Sequence, residues 1–197
     1  GFLALTNASA GSTEDDAVEA ALRVLRDATD VRVEACGDPG DLDDLLDSRD
    51  GRTVVLLGGD GSVHTTVAAL HRRGELADVP LGLLPMGTGN DLARTLGIPL
   101  DPAEAARVLL QAAPRRLDLL VDDAGGVVVN VVHAGVGAEA AQRAAALKGG
   151  LGKAAYPVGG VLAGVTASGW DLVVTVDGAT LDLDDTALMV AIANGRT

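Results

Sequence analysis

Two short apolar runs, Thr53 to Leu57 and Leu81 to Leu84, constrain this chain more than any other feature. Their apolar residues are consecutive rather than alternate, as in a parallel strand buried on both faces. Each run stops at a glycine loop, and each loop leads straight into a helical segment. Gly58-Gly59-Asp60-Gly61-Ser62 precedes a predicted helix from Val63 to Arg72, and Gly87-Thr88-Gly89-Asn90 runs into one from Gly89 to Leu96. The start of the chain repeats the scheme. Phe2 to Leu5 reads as a buried strand, Asn7 to Gly11 as a polar turn, and Glu14 to Ala28 as a helix. In that helix Val18, Ala21, Leu22 and Leu25 keep one face, and the first-turn acids complement the helix dipole. Val31 to Ala35 alternates as a strand, and Asp41 to Leu46 is spaced as a short helix. Asp101-Pro102-Ala103-Glu104 supplies an N-cap, an N1 proline and an N3 glutamate, a strong helix start. Strands alternating with helices predict a parallel sheet covered on both sides, a three-layer α/β domain.

The pattern changes near Pro114. Leu117 to Val121, Val127 to Val132, Leu172 to Val176, Thr180 to Leu183 and Ala187 to Ala193 read as strands. Turns such as Gly125-Gly126 and Asp177-Gly178 join them, and helical stretches at Ala138 to Leu147 and Ala154 to Ala167 interrupt them. The expected division is therefore an α/β domain over 1–114 and a mainly antiparallel, β-rich domain over 115–197. Because the sequence ends on Asn194-Gly195-Arg196-Thr197, straight after a strand, that second domain is expected to be C-terminally truncated.

Composition narrows the function. Apolar residues make up 48% of the chain but aromatics only 2%, so the core must be built from Ala, Val and Leu, which suits layered packing. A net charge of −13 argues against nucleic acid as a partner and against tight, purely electrostatic docking on an anionic membrane. No apolar stretch is long enough to span a bilayer, since Val158 to Ala167 is broken by Gly159, Gly160 and Gly164. With no signal pattern and no initiating Met, the sequence reads as a trimmed cytosolic fragment. A single cysteine, Cys36, leaves no internal disulfide and no thiolate metal site.

The glycine loops carry the candidate chemistry. In an open α/β sheet, ligands bind at the carboxyl ends of the strands. Glycines let backbone N–H groups approach phosphate oxygens, and the following helix adds its positive end. Gly58, Gly59, Gly61 and Ser62 fit that role, although neither GxxxxGK[ST] nor GxGxxG is present. Asp60 repels phosphate directly. It makes sense beside a bridging cation, as an acceptor of a substrate proton, or as the N-cap of a tight turn. In the second loop Gly87, Thr88, Gly89 and Asn90 offer donors to a sugar or phosphate, or cap the helix, and Asp91 repeats the problem of Asp60. Asn7, Ser9 and Gly11 follow the first strand and would lie on the same sheet edge as the other two loops.

The motifs NASAGS, GGDGS and PMGTGNDLARTLGIP, in this order, resemble the catalytic domain shared by diacylglycerol kinases, sphingosine kinases and bacterial lipid kinases. Further on, KGGLGKAAY (Lys148 to Tyr156) and AIANGR (Ala191 to Arg196) are similar to that family's second domain. The chain departs from the family at Ala8, where proline is usual, at Ser62, where threonine is usual, and at His64-Thr65, where Asn-Glu is usual. The resemblance implies ATP-dependent phosphoryl transfer to a lipid hydroxyl, with diacylglycerol or a related lipid as acceptor. It places ATP phosphates on the GGDGS loop and Thr88, with Asn7, Ser9 and Gly11 close by. It also implies that Asp60, Asp91 and Asp118 order Mg²⁺ through water. The proton acceptor would be Asp60 or an acid in the family's C-terminal segment. The implied setting is cytoplasmic, with transient peripheral contact at a membrane surface and no transmembrane segment; a homodimer stays open. An NAD kinase-like phosphotransferase and a non-catalytic nucleotide sensor are the alternatives.

Other residues invite simpler readings. His64 and His71 are seven apart, not at the i, i+4 spacing of metal pairs, and suit surface or packing roles. His133 in an apolar run, Phe2 and Trp170 read as core, while Cys36 needs no reactive role. Arg115, Arg116, Arg143, Lys148 and Lys153 read as solvated.

Overall fold

In the computed structural model, the run Thr53 to Leu57 lies in the middle of a four-stranded parallel sheet and the run Leu81 to Leu84 at one edge of it. Its strands are β1 (Phe2–Asn7), β2 (Val31–Cys36), β3 (Thr53–Gly58) and β4 (Leu81–Pro85), in the order β2-β1-β3-β4. The structure describes residues 1–7, 12–37, 39–135, 169, 171–181 and 186–194. Side chains on the central strands feed two separate cores. Leu3, Leu5, Val54 and Leu56 face α2 (Pro39–Asp47) and α3 (Asp60–Arg73), meeting Leu42, Leu46, Val67 and Leu70. Ala4, Val55 and Leu57 face the other way, toward α1 (Ser12–Arg26) and α5 (Pro102–Gln111), meeting Leu22, Leu25, Ala105 and Ala106. Adjacent Val54 and Val55 are both 0% exposed, which is why β3 carries no polar alternation. The three layers expected from the sequence are present.

Local signals hold where they are backbone chemistry. The Asp101 side chain accepts from the Glu104 N–H at 2.8 Å and Pro102 occupies the first turn of α5, the predicted start. The short helix α4 (Asp91–Leu96) begins two residues later than the sequence suggests, because Asn90 takes a left-handed conformation with φ of 52°.

The chain gathers into two compact units, one of Gly1–Asn130 with Asn194, the other within Val131–Ala193. In the first unit, β5 (Leu120–Val121) pairs antiparallel with β6 (Val127–Val128). The strand expected from Leu117 is confined to those two residues, since only they find a ladder partner. In the second unit, β7 (Val131–Gly135) pairs antiparallel with β10 (Met189–Ala193), and β8 (Val174–Val176) with β9 (Ala179–Leu181). The β8–β9 turn has positive φ at both Asp177 and Gly178, as a tight hairpin requires.

The run Val127 to Val132 is not one strand, as the sequence suggests. It breaks at Val129-Asn130. Val129 is buried in the first core, and the next side chain, Asn130, also turns inward to bond Asp60. A flat strand sends consecutive side chains to opposite faces, so both can point inward only if the strand bends. The predicted helices at 138–147 and 154–167, Trp170, Lys148, Lys153 and Arg143 lie outside the described residues, as does the end of the strand predicted at Thr180 to Leu183.

Candidate active site

The strands β1, β3 and β4 run parallel, so their following loops share one edge of the sheet. At the end of β3 the chain passes through Gly59 in an extended conformation and enters α3 at Asp60. The first internal bond of α3 runs from the Val63 N–H to the Gly59 carbonyl at 3.2 Å. Amides ahead of it, such as those of Gly61 and Ser62, have no intrahelical acceptor, and Gly59 has no side chain to cap them. They border a cavity of about 480 Å³, whose rim includes Thr6, Gly37, Gly59, Gly61, Ser62 and Thr65. A Cβ on Gly61 would meet nothing within 4 Å, so the approach to these amides is open. That is an anion-binding arrangement: exposed N–H groups, a helix dipole and no obstructing side chain.

The second loop is packed against the first. A Cβ on Gly59 would lie 2.9 Å from Gly87 Cα, and one on Gly87 would lie 2.6 Å from Gly59 Cα. Only glycines let the two backbones touch. The Met86 N–H also donates to the Gly58 carbonyl at 3.0 Å, extending the β3–β4 ladder into the loops. Buried Asn90 closes the second loop on itself. Its Oδ1 accepts from the Gly87 N–H at 2.9 Å, and its Nδ2 donates to the Gly87 carbonyl at 2.7 Å. Arg94 Nε donates to the Gly89 carbonyl at 3.0 Å. The amide of Asn90 is thus engaged by its own loop, while Thr88 and Gly89 are exposed.

Asp60 joins these loops. Its Oδ2 accepts from the Asp91 N–H and its Oδ1 from the Leu92 N–H, each at 3.1 Å, and Asn130 Nδ2 donates to Oδ1 at 3.1 Å. The carboxylate therefore caps α4, the helix after the other loop, rather than α3, in which it resides. Burial alone would raise its pKa. The donations from Leu92, Asp91, Asn130 and its own N–H together outweigh burial and hold the carboxyl below its ordinary value. A carboxylate so engaged is a strong organiser and a weak proton acceptor.

The remaining candidates are distributed as follows. A Cβ on Gly89 would lie 3.1 Å from Asp60 Oδ2 and 3.7 Å from both Asp91 oxygens, so these two carboxylates flank Gly89. Asp118 is exposed, and its carbonyl accepts from Asn194 Nδ2 at 2.6 Å. Among the described residues, no group of three or more His, Cys, Asp or Glu gathers as a metal site. Asn7 ends β1 in register with Cys36 of β2, while Ser9 and Gly11 lie outside the described residues. His64 is exposed, as expected of a surface residue. His133, expected in the core, is exposed on β7 opposite Ala191. Sequence reading missed Asn130 and Asn194. The available signal for Asn130 was one amide interrupting an all-valine run.

A carboxyl-edge site with uncapped helix amides in a three-layer sheet defines an α/β protein whose loop geometry suits an anionic ligand. The comparisons supply its family. The diacylglycerol kinase catalytic domain model matches residues 1–121, and this chain belongs to that family. A "Probable lipid kinase YegS-like" protein of Stenotrophomonas maltophilia (strain K279a) is 40% identical over 114 residues, 55% of this chain and 37% of the relative. One of the same description from Klebsiella pneumoniae (strain 342) is 30% identical over 182 residues, 89% of this chain and 60% of the relative. The crystal structure of a diacylglycerol kinase from Bacillus anthracis str. Sterne shares the fold. It has a TM-score of 0.71 and 24% identity, over 98% of this chain and 64% of that one. A second structure from the same organism reaches a TM-score of 0.77 and 25% identity, over 98% of this chain and 66% of that one. The chain thus spans 37 to 60% of the length of these two curated relatives.

Proposed function

We propose that this protein is an ATP-dependent lipid kinase, and that its first unit holds the ATP phosphates on the loop Gly58 to Ser62. The observation that carries this reading is the open, uncapped start of α3 beside the cavity of about 480 Å³. Gly58, Gly59, Gly61 and Ser62 present the phosphate-facing backbone. From the second loop, whose Gly87 packs on Gly59, exposed Thr88 and Gly89 would add phosphate contacts, and Asn90 keeps that loop in shape. By the family resemblance, Asn7, Ser9 and Gly11 would contact the phosphates as well. The α/β domain of 1–114 serves ATP, and the chain over 115–197 contributes part of the lipid side. The acceptor is the hydroxyl of diacylglycerol or a related lipid. The setting is the cytoplasmic face of a membrane, visited peripherally. Among the described residues no helix is long and apolar enough to cross a membrane.

ATP is used as its Mg²⁺ complex, and the donor set fits an outer-sphere role. Both oxygens of Asp60 already accept protein N–H groups, so Asp60 and exposed Asp91 would hold metal-bound water rather than the ion itself. Asp118 would join them from the segment before β5. Bound Mg²⁺ supplies charge neutralisation at the phosphates, and the chain supplies position. Asp60 keeps the two loops in register during transfer. Removal of the hydroxyl proton falls to a group with a higher pKa.

Radiolabelled ATP offered with diacylglycerol, a sphingoid base and NAD tests the reading. Label in a lipid phosphate is expected. Label only in NADP would instead make the protein an NAD kinase, and ATP binding without transfer to any acceptor would make it a nucleotide sensor.

A further inference from the structure

The bend at Val129-Asn130 has a use that the ATP loops alone do not explain. Asn130 lies 70 residues from Asp60 in sequence, yet its Nδ2 donates to the same Oδ1 that accepts the Leu92 N–H. Asn130 is itself held from another segment. The Asn194 N–H donates to the Asn130 carbonyl at 2.7 Å, and Asn194 Nδ2 donates to the carbonyls of Val129 at 3.1 Å and Asp118 at 2.6 Å. Both asparagines belong to the first compact unit, although the chain between them builds the second. Asn194, which lies in the AIANGR stretch, thus pins both the bend and the start of the segment that leads to it.

The physical need for such a brace lies in the carboxylate. Rotation of an aspartate about χ2 is soft, and a single short helix offering two adjacent amides restrains it from one side only. A donor from an independent part of the chain fixes the plane of the carboxylate and the distance between the loops it joins. A neutral amide does this without adding charge beside the phosphate site. We propose that Asn130 is a positioning residue for Asp60, held in place by Asn194, and that it sets the register of the two glycine loops on which ATP phosphates lie. The inference rests on the reading of those loops as the ATP site.

A double-mutant cycle on the full-length protein tests it, read by ATP affinity, by kcat and KM for ATP, and by hydrogen exchange at the Asp91 and Leu92 amides. Asn130→Ala is expected to lower kcat/KM for ATP roughly tenfold or more, the scale of one lost hydrogen bond to a charged group. It should also speed exchange at both amides. Asn130→Asp, nearly isosteric, should cost more, because it sets one carboxylate against another. In an Asp60→Asn background, Asn130→Ala should change kcat/KM by less than about twofold. Equal losses in both backgrounds, or unchanged exchange at Asp91 and Leu92, would overturn the proposal. Where Asn130→Ala does not fold, Asn130→Ser retains a shorter donor. If that variant also unfolds, the residue is merely structural and the proposal fails. Failure of the wild type to bind ATP would overturn the ATP reading, while the exchange measurement still decides whether Asn130 positions Asp60.

Discussion

The loops after β3 and β4 are written alike, as strand, glycine turn and helix, yet they end in opposite physical states. Helix α3 starts at a bare glycine, and its first amides face an open cavity. Helix α4 starts with its amides already taken by the carboxylate of Asp60, and its loop is closed by Asn90. One positive helix end is left for a ligand, and the other is filled from within. The acid that looked out of place beside a candidate phosphate loop is explained by this difference. Asp60 leaves its own helix start free and neutralises its neighbour's, tying the two loops together as it does so.

Breaking that tie should have the largest effect. Asp60→Asn removes the charge and one of the two acceptor oxygens that meet Asp91 and Leu92. Phosphoryl transfer is expected to fall by at least about a hundredfold, the cost of misplacing reacting groups by about an ångström. Because the carboxylate is half-buried and bonded, stability should also fall, by about 1–2 kcal/mol. Circular dichroism with initial-rate assays separates the two effects, and near-normal turnover would remove Asp60 from the site. Next in size is Gly87→Ala. Its Cβ would meet Gly59 Cα at 2.6 Å, so one backbone must move. A loss of about 1–3 kcal/mol in thermal or denaturant unfolding is expected, with weaker ATP binding in equilibrium titration.

The contrast between the loops was only half legible in the sequence. Strand, glycine and helix could be read for both, because consecutive apolar residues and helical spacing are local signals. The three layers followed from them. What could not be read was which helix Asp60 caps. The nearest choice was its own, whereas the actual partner starts 31 residues later. The bend at Asn130 was hidden for a related reason. Val127 to Val132 satisfies every local rule for a strand, and what interrupts it are hydrogen bonds to Asp60 and Asn194, 70 and 64–65 residues away in sequence. Asp118 illustrates the reverse case. The family pattern groups it with Asp60 and Asp91, yet its visible tie is a backbone bond to Asn194.

Gly61→Ala tests the open side of the comparison with a smaller change. A Cβ there would meet nothing within 4 Å, and alanine favours the helix, so stability should hold or rise by up to about 0.5 kcal/mol. If the proposed ATP site is right, ATP affinity should nonetheless fall several-fold, because the methyl group would then crowd the amides that meet phosphate. Stability and affinity moving in opposite directions would separate this loop from the one at Gly87. Equal losses of both would make Gly61 a packing residue like its neighbour.

The smallest effect expected is on acid stability. The Asp60 carboxyl is held below its ordinary pKa in the folded protein, so its ionised form contributes stability at neutral pH. That contribution is complete above the unfolded-state value of about 3.9 and drains away as pH falls through the lower folded value. Asp60→Asn has no such group to titrate. Urea unfolding of wild type and variant from pH 6 to pH 3 should therefore show a constant gap down to about pH 4 and a narrowing gap below it. A gap that stayed constant across the whole range would mean that the hydrogen bonds from Asp91, Leu92 and Asn130 do not favour the charged carboxylate, and the two helix ends would then differ less than their geometry implies.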